Sequence, residues 1–154
     1  MQKEMLKNSK LPYSGLLIYD SNKCTGCKVC ELVCSFFHEK VFSPSLARIH
    51  IFNNIFVGNN SAYICKNCAS PKCYYACPID AIFIDNNTGI PIIDEDICDG
   101  CRECAKKCPY NNDGYIIKYN LNKNVFIKCD LCGGEPKCVE WCAPKALSYI
   151  KKKR

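Results

Sequence analysis

Sixteen cysteines in 154 residues fall into four groups of four, and no other feature limits the chain so tightly. The groups are Cys24, Cys27, Cys30 and Cys34; Cys65, Cys68, Cys73 and Cys77; Cys98, Cys101, Cys104 and Cys108; and Cys129, Cys132, Cys138 and Cys142. Groups one and three share the spacing C-x2-C-x2-C-x3-C. In groups two and four the middle gap widens to four and five residues. So many cysteines suit either the disulfide scaffold of a short secreted chain or a set of metal centres. The N-terminal stretch shows no apolar signal core, cleavage site or twin arginine. No run of about 18 apolar residues is present to span a membrane. We therefore expect a cytoplasmic chain whose reduced thiols bind metal.

The spacing favours iron–sulfur centres over zinc. Zinc sites take their cysteines in pairs with a spacer, whereas every group here has a third cysteine within a few residues. A [4Fe–4S] cubane has four iron corners, and C-x2-C-x2-C lets one tight loop reach three of them. The fourth cysteine, three residues on, starts a helix that leaves the loop, so it reaches a different cluster. That is the recorded behaviour of the bacterial C-x2-C-x2-C-x3-C-P run. Cys77-Pro78 and Cys108-Pro109 carry the proline. Exchange between groups two and three gives one site of Cys65, Cys68, Cys73 and Cys108 and another of Cys98, Cys101, Cys104 and Cys77. Exchange between groups one and four gives Cys24, Cys27, Cys30 and Cys142, and then Cys129, Cys132, Cys138 and Cys34. A sequential pairing, one with two and three with four, satisfies the same spacing. Zinc and disulfides stay as the rival chemistries.

The order of groups predicts an α+β fold of two nested bacterial-ferredoxin-like modules. The inner module covers 61–109, the outer one 15–60 together with 110–150, and 1–14 and 151–154 are tails. Residues 81–98 and 114–129 read as hairpins, turning at "NNTG" and near "NLNKN". Strands are expected at 15–20, 47–52 and 146–150, and short helices at 27–39, 73–78, 101–109 and 138–143. No long amphipathic helix or sizeable conventional apolar core is expected, so bound centres must supply much of the cohesion.

The cysteine pattern resembles the four-cluster ferredoxin-like electron-transfer subunits of the dimethyl-sulfoxide-reductase and formate-dehydrogenase type. A narrower likeness, carried by "CSFFHEKVFSPSLARI", is to the small polyferredoxin subunit of tungsten-containing aldehyde oxidoreductases. The last motif departs from the usual Cys-Pro and reads Cys142-Ala143-Pro144. The resemblance implies four [4Fe–4S] clusters, nested pairing and no catalytic residues. It also implies two partners: a catalytic subunit holding a tungsten- or molybdenum-pterin, and an external electron donor or acceptor. A hydrogenase, formate dehydrogenase or carbon-monoxide dehydrogenase complex is the alternative setting, and a zinc-bound structural module the remaining one.

The net charge of +6 invites a nucleic-acid reading. Each oxidised cluster with its four thiolates adds about −2, however, which carries the total below zero. The basic residues are read as compensation for buried anions, so no nucleic acid is expected as a partner. His38 and His50 are assigned to surface or packing, since no ligand is missing. Tyr74, Tyr75, Tyr110 and Trp141 are assigned to excluding water from the clusters. Lys28, Lys66 and Arg102 are candidates for hydrogen bonds near them.

Overall fold

Proline follows the last cysteine beside two of the four α-helices described. The computed structural model describes residues 13–153, with side-chain detail for 15–151. Helix α1 (Val29–Glu39) follows the first cysteine group, α2 (Lys72–Ala76) lies in the second, α3 (Glu103–Lys107) in the third and α4 (Lys137–Glu140) in the fourth. Pro78 and Pro109 follow the last cysteines of groups two and three and cannot continue a helix. Group one has Ser35 at that position, and α1 runs for 11 residues. It ends at Lys40, whose left-handed backbone sends its N–H to the Phe36 carbonyl. Cys30, Glu31, Cys34 and Ser35 form the buried stripe of α1, and His38 continues the spacing of four that starts at Cys30.

Among the described residues, eight strands form four separate antiparallel pairs. β2 (His50–Asn54) pairs with β3 (Asn59–Tyr63), β4 (Ile82–Ile84) with β5 (Pro91–Ile93), and β6 (Ile117–Asn120) with β7 (Val125–Lys128). The fourth pair joins the chain ends, β1 (Tyr13–Tyr19) with β8 (Leu147–Lys153), in the register Leu17 to Tyr149. One pair thus lies between each two successive cysteine groups, and β1–β8 closes the circuit from group four back to group one. The order strand, cysteine group, helix, hairpin, cysteine group, helix, strand occurs twice, first from β1 to β4 and again from β5 to β8.

The expected strands and helices are present with shifted ends. Ala47–Ile49 precedes β2 instead of belonging to it, and β3, with the polar sequence "NNSAY", was not foreseen. Lys151–Lys153 and Tyr13–Ser14 are strand residues, which shortens the tails expected at 151–154 and 1–14; residues 1–12 and 154 lie outside the described residues. The boundary expected at 60/61 falls inside β3.

The interior is also more conventional than the sequence suggested. Ile49, Ile51, Ile64, Ile82, Ile90, Ile116, Ile117, Leu131 and Leu147 are buried together in one cluster. Cys30, Cys34, Cys65, Cys73, Cys77, Cys104, Cys129 and Cys138 belong to the same cluster. Apolar side chains and thiols share a single core, so whatever the thiols hold is packed as core.

Candidate metal centre

The loops between the first cysteines of each group are built on left-handed backbone. Gly26 (φ 70°) and Gly100 (φ 73°) stand just before Cys27 and Cys101, and Asn67 (φ 45°) holds the matching place before Cys68. Lys28 and Arg102, just after Cys27 and Cys101, are left-handed as well and start α1 and α3. Such a bend turns successive peptide N–H groups to one side, as anion-binding nests do. In groups three and four an aspartate braces the loop: Asp99 accepts from the Cys101 N–H at 3.1 Å and Asp130 from the Cys132 N–H at 2.9 Å.

Hairpins cover these loops. In the first half, Asn53 and Asn60 of β2–β3 donate through their amides to the Gly26 and Cys24 carbonyls, at 3.1 and 2.8 Å. In the second half, the turn of β6–β7 lies against Gly100, where an added Cβ would meet the Asn124 carbonyl at 2.6 Å.

Folding brings the cysteines together in sets drawn from different groups. Cys24, Cys27, Cys30 and Cys142 line a hollow of about 330 Å³, counting space open to solvent, with Tyr19, Ile51 and Pro144. Cys77, Cys98, Cys101 and Cys104 line one of about 280 Å³ with Ile79, Ile82 and Phe126. Cys65, Cys68, Cys73 and Cys108 line one of about 370 Å³ with Pro91, Ile116 and Lys128. Cys34, Cys129 and Cys132 are the thiols that act on Cys138 most strongly, so these four also lie together. None of the sixteen cysteines is joined in a disulfide.

Burial opposes ionisation at these sulfurs. It pushes the Cys30 thiol up to about 12, with the Glu31 charge adding to the effect. Burial pushes Cys104 up to about 12 and Cys73 to about 11, and raises Cys129 and Cys138 further still. Four such thiols ionise together only around added positive charge, as a metal centre provides. The spacing between sulfurs decides the kind of centre. One zinc ion holds its thiolates at about 2.3 Å, so no two can be more than about 4.6 Å apart. Among the described residues, no three cysteine sulfurs lie within 4.8 Å of one another. They stand around a hollow, as a multi-atom cluster requires.

Two polar residues lie beside the sulfurs where the sequence reading foresaw none: His38, which it assigned to surface or packing, and Arg48, which it did not name. His38, with a side chain 9% exposed, places Nε2 3.3 Å from Asp130 Oδ1 and 3.8 Å from Cys132 Sγ. Its sequence signal was the spacing of four from Cys34 on a helix, which sets both on one face. Arg48 donates its backbone N–H to Cys34 Sγ at 3.2 Å and its guanidinium to Asp130 and Glu95, at 3.1 and 2.6 Å. Tyr74 is buried, as a water-excluding residue should be. Tyr110 is 50% exposed yet lines the hollow of Cys65, Cys68, Cys73 and Cys108, whereas Trp141 is 59% exposed. Lys66 and Arg102 line hollows, and Lys28 borders the first. No helix among the described residues is long and apolar enough to cross a membrane.

Comparison with known proteins supplies the family. Residues 58–152 match the 4Fe-4S dicluster domain. The chain is 37% identical over 135 residues to the polyferredoxin-like subunit of an aliphatic sulfonate oxidoreductase of Pyrococcus furiosus, covering 88% of this chain and 75% of that one. It is 36% identical over 148 residues to a probable anaerobic dimethyl sulfoxide reductase chain of Escherichia coli, covering 84% and 70%. The BamBC active-site complex of benzoyl-coenzyme A reductase, in complex with 1,5-dienoyl-CoA, contains a chain of the same fold. There the TM-score is 0.55 and the identity 25%, over 92% of this chain and 78% of that one. The chain therefore belongs to the 4Fe-4S dicluster domain family and is a non-catalytic iron–sulfur electron-transfer subunit of an oxidoreductase complex.

Proposed function

We propose that the chain carries four [4Fe–4S] clusters in two exchanged pairs and relays electrons between a catalytic subunit and an external redox partner. The ligand sets are Cys24, Cys27, Cys30 and Cys142; Cys34, Cys129, Cys132 and Cys138; Cys65, Cys68, Cys73 and Cys108; and Cys77, Cys98, Cys101 and Cys104. The observation that carries this reading is that three hollows are each lined by three cysteines of one group and the last cysteine of another. The inner module of 61–109 then holds one pair of sites, and 15–60 with 110–150 the other.

Bound clusters supply reversible one-electron chemistry. The chain's own residues grip them, keep water away and set the surrounding charge. Ile51, Ile82, Ile116 and Pro91 wall the hollows with apolar surface. Cys27 and Cys101 are the two exposed cysteines, and they mark where two of the sites come nearest the surface and a partner. The catalytic partner is proposed to hold a tungsten- or molybdenum-pterin and to oxidise an aldehyde or, in keeping with the Pyrococcus relative's name, an aliphatic sulfonate. We place the complex in the cytoplasm, where sixteen thiols stay reduced.

Anaerobic purification with any co-purifying large subunit tests the reading. About 16 iron and 16 acid-labile sulfide per chain are expected, with a pterin and its metal in the larger partner. Colourless protein with stoichiometric zinc, or half that iron, would sink the four-cluster assignment. A partner without a pterin would sink the proposed complex.

A further inference from the structure

Lys128 is among the most deeply buried side chains of the chain, 2% exposed at the end of β7. Its Nζ donates to the Cys129 carbonyl at 3.0 Å and to the Pro91 carbonyl of β5. It is held as a donor with its ammonium fixed in place. The other enclosed cations all have a carboxylate nearby. Arg48 has Asp130 and Glu95, and Lys118 feels the Glu31 charge. Among the described residues, Lys128 has no carboxylate in ion-pair range.

An enclosed ammonium with only carbonyls around it is costly to desolvate unless an anion is near. Among the described residues, the anionic groups placed to serve are thiolates and what they bind. Lys128 lines the hollow of Cys65, Cys68, Cys73 and Cys108, and it is the residue next to Cys129 of the neighbouring set. Its charge works against burial at Cys68, Cys73, Cys108 and Cys129 alike, drawing each thiol down. Among the described residues, no other enclosed cation reaches both sets in this way. Its place between β5 and the start of the fourth group sets it where the inner and outer modules meet.

We propose that Lys128 is a shared counter-cation for two sites, that of Cys65, Cys68, Cys73 and Cys108 and that of Cys34, Cys129, Cys132 and Cys138. It favours the added electron at both and so levels the step between the two modules. The inference rests on the four-cluster reading above. No bond forms or breaks in the step: one electron passes from one cluster to the other. A fixed positive charge beside an anionic cluster stabilises the reduced state more than the oxidised one, so removing it lowers the potential.

The test is an EPR-monitored redox titration of the anaerobically purified full chain with its catalytic partner. Each signal is assigned beforehand by single cysteine-to-serine variants. Lys128→Gln keeps a donor for the carbonyls and removes the charge. Both assigned signals are expected to move to lower potential together, while those of the Cys24 and Cys98 sets stay put. Lys128→Arg keeps the charge and should leave all four near their original values. If Lys128→Gln binds less iron, the loss must fall on the two named sites and be absent from Lys128→Arg. A shift of one signal alone, an equal shift of all four, or no shift overturns the role of Lys128. Iron short of four clusters in the unmutated chain overturns the reading beneath it instead, and the two failures are told apart by the iron and sulfide count.

Discussion

The stretch from β1 to β4 and the stretch from β5 to β8 pass through the same order of parts, yet they wall in opposite charges. In the first, Glu31 follows Cys30 and is completely buried; the residue matching it in the second is Ala105, after Cys104. In the second, Lys128 precedes Cys129; the matching residue in the first is Ile64, before Cys65. The Glu31 charge adds to burial in raising the Cys30 thiol, whereas Lys128 draws down the thiols near it. Groups one and three have identical ligand spacing, so spacing does not make their sites different. The Glu31 charge beside Cys30, matched only by Ala105 beside Cys104, is expected to do so and to separate the potentials of the clusters these two groups would hold.

The largest effect is expected where that difference is removed. Glu31 accepts the Ile51 N–H at 2.6 Å, lies 3.3 Å from His50 Nδ1 and faces the buried Lys118. Glu31→Leu leaves these groups enclosed without their anion and should cost about 3–5 kcal/mol. The readout is the temperature at which visible cluster absorbance bleaches. Glu31→Gln keeps an acceptor for Ile51 and should recover much of that loss. It should also raise the potential of the Cys24 set, opposite in sign to the effect expected of Lys128→Gln. Leu and Gln variants that bleach together would mean the charge is not what the site needs.

A second contrast lies at Asp130, whose counterpart in the first half is Lys66. Burial alone would lower the His38 pKa, but hydrogen bonds to Asp130, Cys132 and Cys34 outweigh it and lift the ring from 6.5 to about 11. Burial alone would raise Asp130, but His38 and Arg48 hold it at about 2, below its ordinary 3.8. A raised base contributes stability that is complete below its unfolded pKa and is lost as pH climbs through the folded one. The His38 share is therefore full below about 6.5 and fades toward pH 11. The Asp130 share is full above the ordinary carboxylate range and fades as pH falls toward 2. The gap in bleaching temperature between the natural chain and His38→Leu should narrow as pH rises from 6.5 to 10. A gap that widens over that range contradicts the pairing.

The matching loop glycines give a smaller effect. Both are left-handed, which costs an alanine about 1–2 kcal/mol. At Gly26 a new Cβ would meet the Asn53 amide, a side chain able to move; at Gly100 it would meet the Asn124 backbone carbonyl, which is not. Gly100→Ala should therefore destabilise its site more than Gly26→Ala, read as the relative loss of the two EPR signals. Equal losses would place the strain in φ alone.

What could be read from the sequence follows from how local each signal is. The hairpins β4–β5 and β6–β7 combine alternating apolar residues with turn residues, so both appear in the pattern. β3 carries no such pattern, because "NNSAY" is drawn into a strand by pairing with β2 and by contacts from afar. Tyr19 Oη, for example, donates to the Asn60 carbonyl at 2.9 Å. The strands β1 and β8 were each visible, but their partnership lies in the closing of the chain ends. Lys128 and Glu31 could not be recognised as enclosed charges, since burial of a lysine or glutamate has no mark in composition. Trp141 misled in the other sense: its place between two cysteines suggested a shield, and the short α4 turns it outward.

Asn60 offers the finest probe of how the halves differ. Its amide donates to the Cys24 carbonyl at 2.8 Å, and the carbonyl that Tyr19 uses is backbone, so Asn60→Ala removes the first contact and keeps the second. One neutral hydrogen bond contributes about 1 kcal/mol, too little to unfold the hairpin but enough to loosen the loop before Cys27. Chelator-driven iron release from the Cys24 set should quicken by about fivefold, the rate equivalent of that energy. Release from the Cys98 set should not change, because its loop rests on the Asn124 main chain. Substituting Asn124 by alanine leaves that carbonyl in place but forces a left-handed residue (φ 57°) to carry a plain side chain, so its effect should come from strain in the turn. If both variants quicken release at both sites, the hairpins act on the core as a whole, and the two halves are alike in the one respect where the loops appear most different.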